Sequence, residues 1–227
     1  MECFEEIQKQ GFCIDALTYV NVSKACGAIG DFRKGFKVHD EVIREGFLED
    51  PSLGTALVDM YAKCGVSQEA HQVFNQLQVQ NLTSWSALIG GYADLGHGKK
   101  AVNCFKRLLH ECVNPDSVAF VCALKACSNI KATEKGKEIH VFIKEMSLEE
   151  DVLVANALLD MYSKCGHLKE AKEMFEQISV RNVISWNALI MGYDQYGHCS
   201  DALNFFDQMK REGLSPSPIT FVSALKA

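Results

Sequence analysis

The chain has 227 residues, 48% hydrophobic and 23% charged, with a formal net charge of −6. That composition is ordinary for a folded protein with ample material for a core, and no run of 18 or more apolar residues offers a membrane span. The acidic balance lacks the basic surface excess that drives non-specific nucleic-acid binding.

Residues 1–15 read as a single helix, the second of a pair, with no signal or transit peptide visible after Met1. From residue 16 the chain divides into units of two short helices: 16–50, 51–81 and 82–116, then 117–151, 152–182 and 183–217. The lengths run 35, 31 and 35, twice over, and residues 218–227 begin one more first helix. The expectation is a fragment of a longer array. Its ends should expose apolar surface that a neighbouring unit would cover, favouring end-to-end self-association.

The division rests on an internal echo with a period of 101 residues. "ALVDMYAKCG" at 56–65 returns as "ALLDMYSKCG" at 157–166, and "SWSALIGGY" at 84–92 returns as "SWNALIMGY" at 185–193. Apolar residues sit one helical turn apart in both kinds of helix, as in Ala157, Leu158, Met161 and Tyr162, or Ala202, Leu203, Phe206 and Met209. Gly65, Gly96, Gly166 and Gly197 fall between the two helices of a unit, where a left-handed cap favours glycine. Pro115 and Pro216 fall between units, where a helix must stop. Strand alternation is nowhere sustained. One such helix pair cannot bury its own apolar face, so the expected fold is all-α: a right-handed superhelical solenoid of helix-turn-helix repeats.

The ten cysteines include no C-x-x-C pair, so the usual structural zinc spacing is missing. Cys3, Cys26 and Cys64 recur as Cys104, Cys127 and Cys165. Thiols repeated by period are expected to be reduced packing residues, with no metal and no cofactor. His39 and His140 recur in the same way, without a nucleophile or carboxylate partner, and are read as packing or surface residues rather than catalytic ones.

The unit lengths resemble the PLS class of plant pentatricopeptide repeat (PPR) proteins, which cycle through long (L), short (S) and ordinary (P) repeats. "LKACSNIKATEKGKEIHVFIK" at 124–144 resembles an L repeat, "NALLDMYSKCGHLKEAKEMFEQISVRN" at 156–182 an S repeat, and "VISWNALIMGYDQYGHCSDALNFFDQMKREGLSPS" at 183–217 a P repeat. The resemblance implies sequence-specific binding of single-stranded RNA in mitochondria or chloroplasts, one base per repeat. It further implies the target-recognition part of a C-to-U editing factor, without catalytic activity of its own.

In the family the fifth and last residues of a repeat read the base. Carried over, the readers are Thr55 with Asn81, Ser86 with Asp116, Asn156 with Asn182, and Asn187 with Ser217. The L repeats offer Val20 with Asp50 and Val121 with Asp151; valine cannot hydrogen-bond a base edge, so weak reading is expected there. Asp only accepts and suits the N–H of guanine or uracil, whereas an Asn amide can donate to adenine or cytosine. With the family's preference at the fifth residue, the expected site is 5′-N-A-G-N-Y-C-3′.

The resemblance also implies base stacking on Leu153, Ile184 and Ile219, while Ser52 and Thr83 depart from that pattern. Lys63 and Lys164 are candidates for phosphate contacts, although an exposed lysine is ordinarily a solvated charge. Asn81, Asp116 and Asn182 would, without the resemblance, be read as polar turn residues. The competing function is a protein-interaction solenoid, with L repeats docking accessory editing proteins.

Overall fold

The structure, a computed structural model, describes residues 14–226; the side chains of residue 219 and of 224–226, and the helix expected before residue 14, lie outside the described residues. All regular structure among the described residues is helical. The chain forms two compact units, one ending at Pro115 and the other starting at Asp116.

In the first unit α1 (Ala16–Ile29) pairs with α2 (Phe32–Arg44), α3 (Pro51–Lys63) with α4 (Ser67–Gln76), and α5 (Leu82–Asp94) with α6 (Gly98–His110). A single 3-10 turn, Phe47–Glu49, precedes α3. In the second unit the pairs are α7 (Ser117–Asn129) with α8 (Thr133–Glu145), α9 (Val152–Lys164) with α10 (Leu168–Gln177), and α11 (Val183–Gln195) with α12 (Cys199–Arg211). A further helix, α13 (Pro218–Lys226), packs on α11 and α12.

First and second helices bury themselves differently. In α9, Val154, Ala155, Leu158, Leu159, Met161 and Tyr162 are all buried, whereas α10 buries only Ala171, Met174 and Phe175. The reason is position: within each unit a first helix packs against the first helices before and after it as well as against its own partner. A helix apolar on most sides needs neighbours on most sides. The second helices keep one apolar stripe and an exposed polar face.

Every first helix from α1 to α11 starts behind an Asp or Asn N-cap. Asp15, Asp50, Asn81, Asp116, Asp151 and Asn182 each accept a hydrogen bond from a backbone N–H in the first turn, which would otherwise be orphaned. Between the helices of a pair, Gly65, Gly96, Gly166 and Gly197 all have positive φ, as the sequence predicts. The second helices lack side-chain caps except at Asp31, which accepts from Lys34 N.

The aromatic core repeats with the sequence. Trp85 meets Phe74 edge-on at 4.5 Å between ring centroids, and Trp186 meets Phe175 at 4.6 Å. His39 Nδ1 lies 2.9 Å from the Tyr61 hydroxyl, and His140 Nδ1 lies 2.8 Å from that of Tyr162. Burial lowers the pKa of both imidazoles, and His140 Nε2 also meets the Glu149 carboxylate at 3.2 Å, a partner that the sequence reading did not give it. Cys26, Cys104 and Cys127 are buried; burial pushes the Cys104 thiol up to about 11 and that of Cys127 to about 12.

Two consequences can be measured. Ser147, Lys131 and Cys112 hold φ between 52° and 56°, and their mates one period away are Gly46, Gly30 and Gly213. An L-residue there is strained, so Ser147→Gly should stabilise the fold by about 0.5–1 kcal/mol, read as a higher urea midpoint. In the other direction, a Cβ on Gly192 would stand 2.7 Å from Ser163 Cβ and 3.2 Å from its Cα, where α11 crosses α9. Gly192→Ala should therefore cost about 1–3 kcal/mol, read in the same unfolding series.

Candidate nucleic-acid interface

The first helices of the second unit leave a groove of about 540 Å³, lined by residues of α7, α9 and α11. Its walls bring together Val121, Leu153, Asn156, Lys164, Ile184 and Asn187, all singled out from the sequence, with Asp160 and Met191 beside them. Leu153 and Ile184, each the second residue of its helix, are 63% and 65% exposed. They leave apolar surface open along the groove. Ser52 and Thr83, at the corresponding places in the first unit, are exposed and polar.

Asn156 is the most informative polar group. It is 9% exposed, and its Nδ2 donates to the carbonyl of Val152 at 2.8 Å. That bond fixes the amide orientation, because the reverse would set two oxygens together. Its Oδ1 is then left buried with no partner. A buried acceptor without a donor costs stability, on the order of 1–3 kcal/mol.

The end-of-repeat positions prove to be helix caps. Asn81 Oδ1 accepts from Ser84 N at 2.9 Å, and Asn182 Oδ1 accepts from Ile184 N and Ser185 N at 2.9 and 3.1 Å. Asp116 Oδ1 accepts from Ala119 N at 2.8 Å. Each cap uses one side-chain atom and leaves the other. Asn81 turns its Nδ2 to Thr55 Oγ1 at 3.2 Å, and Thr55 donates in turn to the Pro51 carbonyl at 2.8 Å. Ser86 is buried, with its hydroxyl unpartnered.

In the last pair of the second unit, Asn187 Nδ2 donates to Ser217 Oγ at 3.0 Å, and Thr220 Oγ1 donates to Asn187 Oδ1 at 2.5 Å. Thr220, buried and bonded to both partners, escaped the reading of the sequence. A threonine three residues past Ser217, in the position of a capping box, is the signal that could have found it. The stacking expectation for Ile219 falls on a side chain outside the described residues.

The aspartates paired with Val121 and Val20 in the sequence reading differ from each other. Both oxygens of Asp151 are engaged: Oδ2 accepts from Ser117 Oγ at 2.7 Å, and Oδ1 from Leu153 N and Val154 N. The Ser117 hydroxyl, more than the two backbone bonds, holds its carboxyl below the ordinary carboxylate range. Asp50 caps α3 through Ser52 N and Leu53 N, and Val20 is buried.

The candidate phosphate-binding lysines are both paired one turn back. Lys63 Nζ lies 2.6 Å from Asp59, and Lys164 Nζ lies 2.8 Å from Asp160. These exposed pairs are individually weak, but the second sets a carboxylate beside Lys164 in the groove and offsets its charge there. Among the described residues no cluster of His, Cys, Asp and Glu could hold a metal, and no helix is long and apolar enough to cross a membrane.

Comparison with known proteins gives a consistent picture. Fold comparison finds a TM-score of 0.84 with the pentatricopeptide repeat protein PPR10, solved in complex with an 18-nt psaJ RNA element. The likeness covers 99% of this chain and 34% of that one, at 21% identity. The chloroplastic pentatricopeptide repeat-containing protein CRR2 of Arabidopsis thaliana is 38% identical over 219 residues, 94% of this chain and 33% of that protein. A mitochondrial relative from the same plant is 33% identical over all 227 residues, 22% of its length. This chain thus spans between about a fifth and a third of the curated relatives it matches. The model of the PPR repeat matches residues 17–47, 55–82, 83–113 and 154–183, and that of the PPR repeat family matches 181–227. More than half of the chain is accounted for in this way, and it belongs to the pentatricopeptide repeat family.

Proposed function

We propose that this chain is a sequence-specific, single-stranded RNA-binding module of an organellar RNA-processing factor, the target-recognition part of a C-to-U editing factor of the PLS class. The observation that carries the reading is the groove of the second unit. It combines exposed Leu153 and Ile184 with the amides of Asn156 and Asn187 along one wall, apolar surface for a base beside polar groups suited to its edge. Base stacking against a side chain contributes about 1–3 kcal/mol per base.

Capping and reading are compatible in this scheme. A capping Asn182 spends Oδ1 on backbone N–H groups and keeps Nδ2, a donor suited to cytosine N3. A capping Asp116 keeps Oδ2, an acceptor suited to guanine N1–H. Thr55 with Asn81 then favours A, Ser86 with Asp116 favours G, and Asn187 with Ser217 favours C more weakly, since Thr220 competes for Asn187. Val121 and the fully engaged Asp151 leave an L repeat silent. Organellar residence, in mitochondrion or chloroplast, belongs to the same proposal and is supported by the chloroplastic and mitochondrial relatives.

A second reading is favoured by the second helices of the L-type pairs. Phe32 and Ile43 on α2, and Val141 and Phe142 on α8, are exposed apolar residues. They suit a protein partner, so docking of accessory editing proteins there is proposed alongside RNA binding. Self-association through exposed Phe221 and Val222 on α13 is also proposed.

Asn182→Asp should keep the α11 cap, since Asp caps as well as Asn, and should move the preference of that repeat from C towards U. A carboxylate cannot donate to cytosine N3 but accepts from uracil N3–H, so the U/C ratio should change about tenfold. Competition between two RNAs differing at that base reads it, and an unchanged ratio with intact folding would reduce Asn182 to a cap. Asp160→Asn should free Lys164 for the RNA backbone. The expected result is tighter binding and a log–log salt slope steeper by about 0.7, one single-strand phosphate; an unchanged slope would remove Lys164 from the interface.

A further inference from the structure

Helix α6 carries Lys99, Lys100, Lys106 and Arg107 and no carboxylate, in a chain whose net charge is −6. One period later, α12 carries Asp201 and Asp207 against Lys210 and Arg211. The fold is the same in both helices, so the charge of α6 is not a requirement of packing.

That charge faces a cavity. Between α4 and α6 lies an open pocket of about 480 Å³, lined by Gln68, His71 and Gln72 from α4, and by Lys100, Asn103, Cys104 and Arg107 from α6. Tyr92 of α5 forms its buried floor. No carboxylate lines it. Lys100 Nζ stands over the Tyr92 ring at 5.4 Å, and the Arg107 guanidinium over the Trp85 ring at 5.3 Å. Arg107 also approaches Glu111 at 3.6 Å, a partly exposed pair that an incoming anion could replace. The Tyr92 hydroxyl lies 3.0 Å from His71 Nδ1. Burial first, then Arg107 and Lys100, holds the His71 imidazole below its ordinary pKa, so the pocket is positive without a proton on His71.

The second copy of the repeat shows what a closed version looks like. Phe205, the mate of Cys104, packs edge-on against Tyr193 at 4.9 Å between centroids, where the smaller Cys104 leaves room against Tyr92. Asp201 and Gln208 stand where Lys100 and Arg107 stand in the first copy. Size and charge have therefore changed together at one place.

We infer that the α4–α6 pocket is a binding site for a phosphomonoester of nucleotide size, separate from the base-reading face of the first helices. The phosphate is held between Lys100 and Arg107, whose long side chains reach it from two turns apart on α6. The carboxamides of Gln68, Gln72 and Asn103 supply donors and acceptors for the rest of the molecule, and Tyr92 gives one flat wall. The volume falls within the range of small-ligand sites, about 300–1,000 Å³. Arg and Lys are the side chains that bind phosphate most strongly. The phosphomonoester could belong to a free nucleotide or to the 5′ end of an RNA.

The test is a titration of the full 227-residue chain with uridine monophosphate and with inorganic phosphate, followed by NMR. Both should shift the His71 imidazole and the backbone amides of residues 100–107. Lys100→Asp and Arg107→Gln, each borrowing its residue from the second copy, should weaken binding by about tenfold or more while leaving the circular dichroism unchanged. Cys104→Phe should block uridine monophosphate by filling the floor. A 5′-phosphorylated RNA that binds better than its 5′-hydroxyl twin, with the advantage lost in Lys100→Asp, assigns the site to RNA ends. Equal binding of the twins, with uridine monophosphate still bound, assigns it to free nucleotides. The inference is overturned if neither phosphate shifts these residues or if the shifts fall on Asn156 and Asn187 instead. Affinities untouched by the α6 substitutions overturn it too, as does tighter binding of a hexaglutamate peptide, which would mark an acidic protein partner.

Discussion

The hydrogen bond from a first-turn backbone N–H to an Asp or Asn side chain sets the frame for the rest of this molecule. It fixes where each first helix starts, at Asp15, Asp50, Asn81, Asp116, Asp151 and Asn182. A helix whose start is fixed has its rotational phase fixed as well, since each residue turns the side chain by about 100°. Phase decides that Asn156, Asn187, Leu153 and Ile184 share one groove, while Trp186 and Tyr162 turn inwards. The cap residue also touches the neighbouring first helix, as Asn81 does through Thr55 and Asp151 through Ser117. One interaction thus ends a repeat, starts the next and joins the two.

Much of this is legible in the sequence. The 3.6-residue spacing gives the helices, and the glycines give their turns. Gly65 and Gly166 keep positive φ because the chain reverses there within a few residues. Less legible are the places where an ordinary residue takes a glycine's conformation. Nothing in Lys131 or Ser147 by itself announces φ near 55°; only the glycine one period away does. The site divides similarly. Residue type at Asn81, Asp116 and Asn182 is compatible with either a turn or a reader, and the structure shows that each cap uses one side-chain oxygen and leaves the second side-chain atom out of the cap. The orphaned Oδ1 of Asn156 depends on a bond to the Val152 carbonyl, a matter of three-dimensional orientation that no residue pattern encodes. The pairing of Lys63 with Asp59 and of Lys164 with Asp160 was available as an i, i+4 spacing, and it changes how much charge those lysines can offer.

Charge is distributed rather than scarce. The groove residues Asp160 and Lys164 neutralise each other, so the groove of the second unit carries little field. In the first unit α6, one of the second helices, carries four positive residues and no carboxylate, whereas α2 sets Asp40 and Glu41 against its four. On the proposed function, this arrangement separates recognition by shape and hydrogen bonding from attraction by charge.

The two tryptophans have a consequence for how this protein can be observed. Trp85 lies in the first unit and Trp186 in the second; both are buried against a phenylalanine ring, with the indole N–H unpartnered. An indole kept from water emits at short wavelength and moves to the red when its surroundings open. Each unit therefore carries its own optical probe at the same structural place. Repeat arrays are held together by nearest-neighbour interfaces, and their cooperativity can break between stretches of the chain. Replacing either tryptophan with phenylalanine would leave a single-colour report on the other unit, so that melting of the two stretches can be timed separately by fluorescence alone.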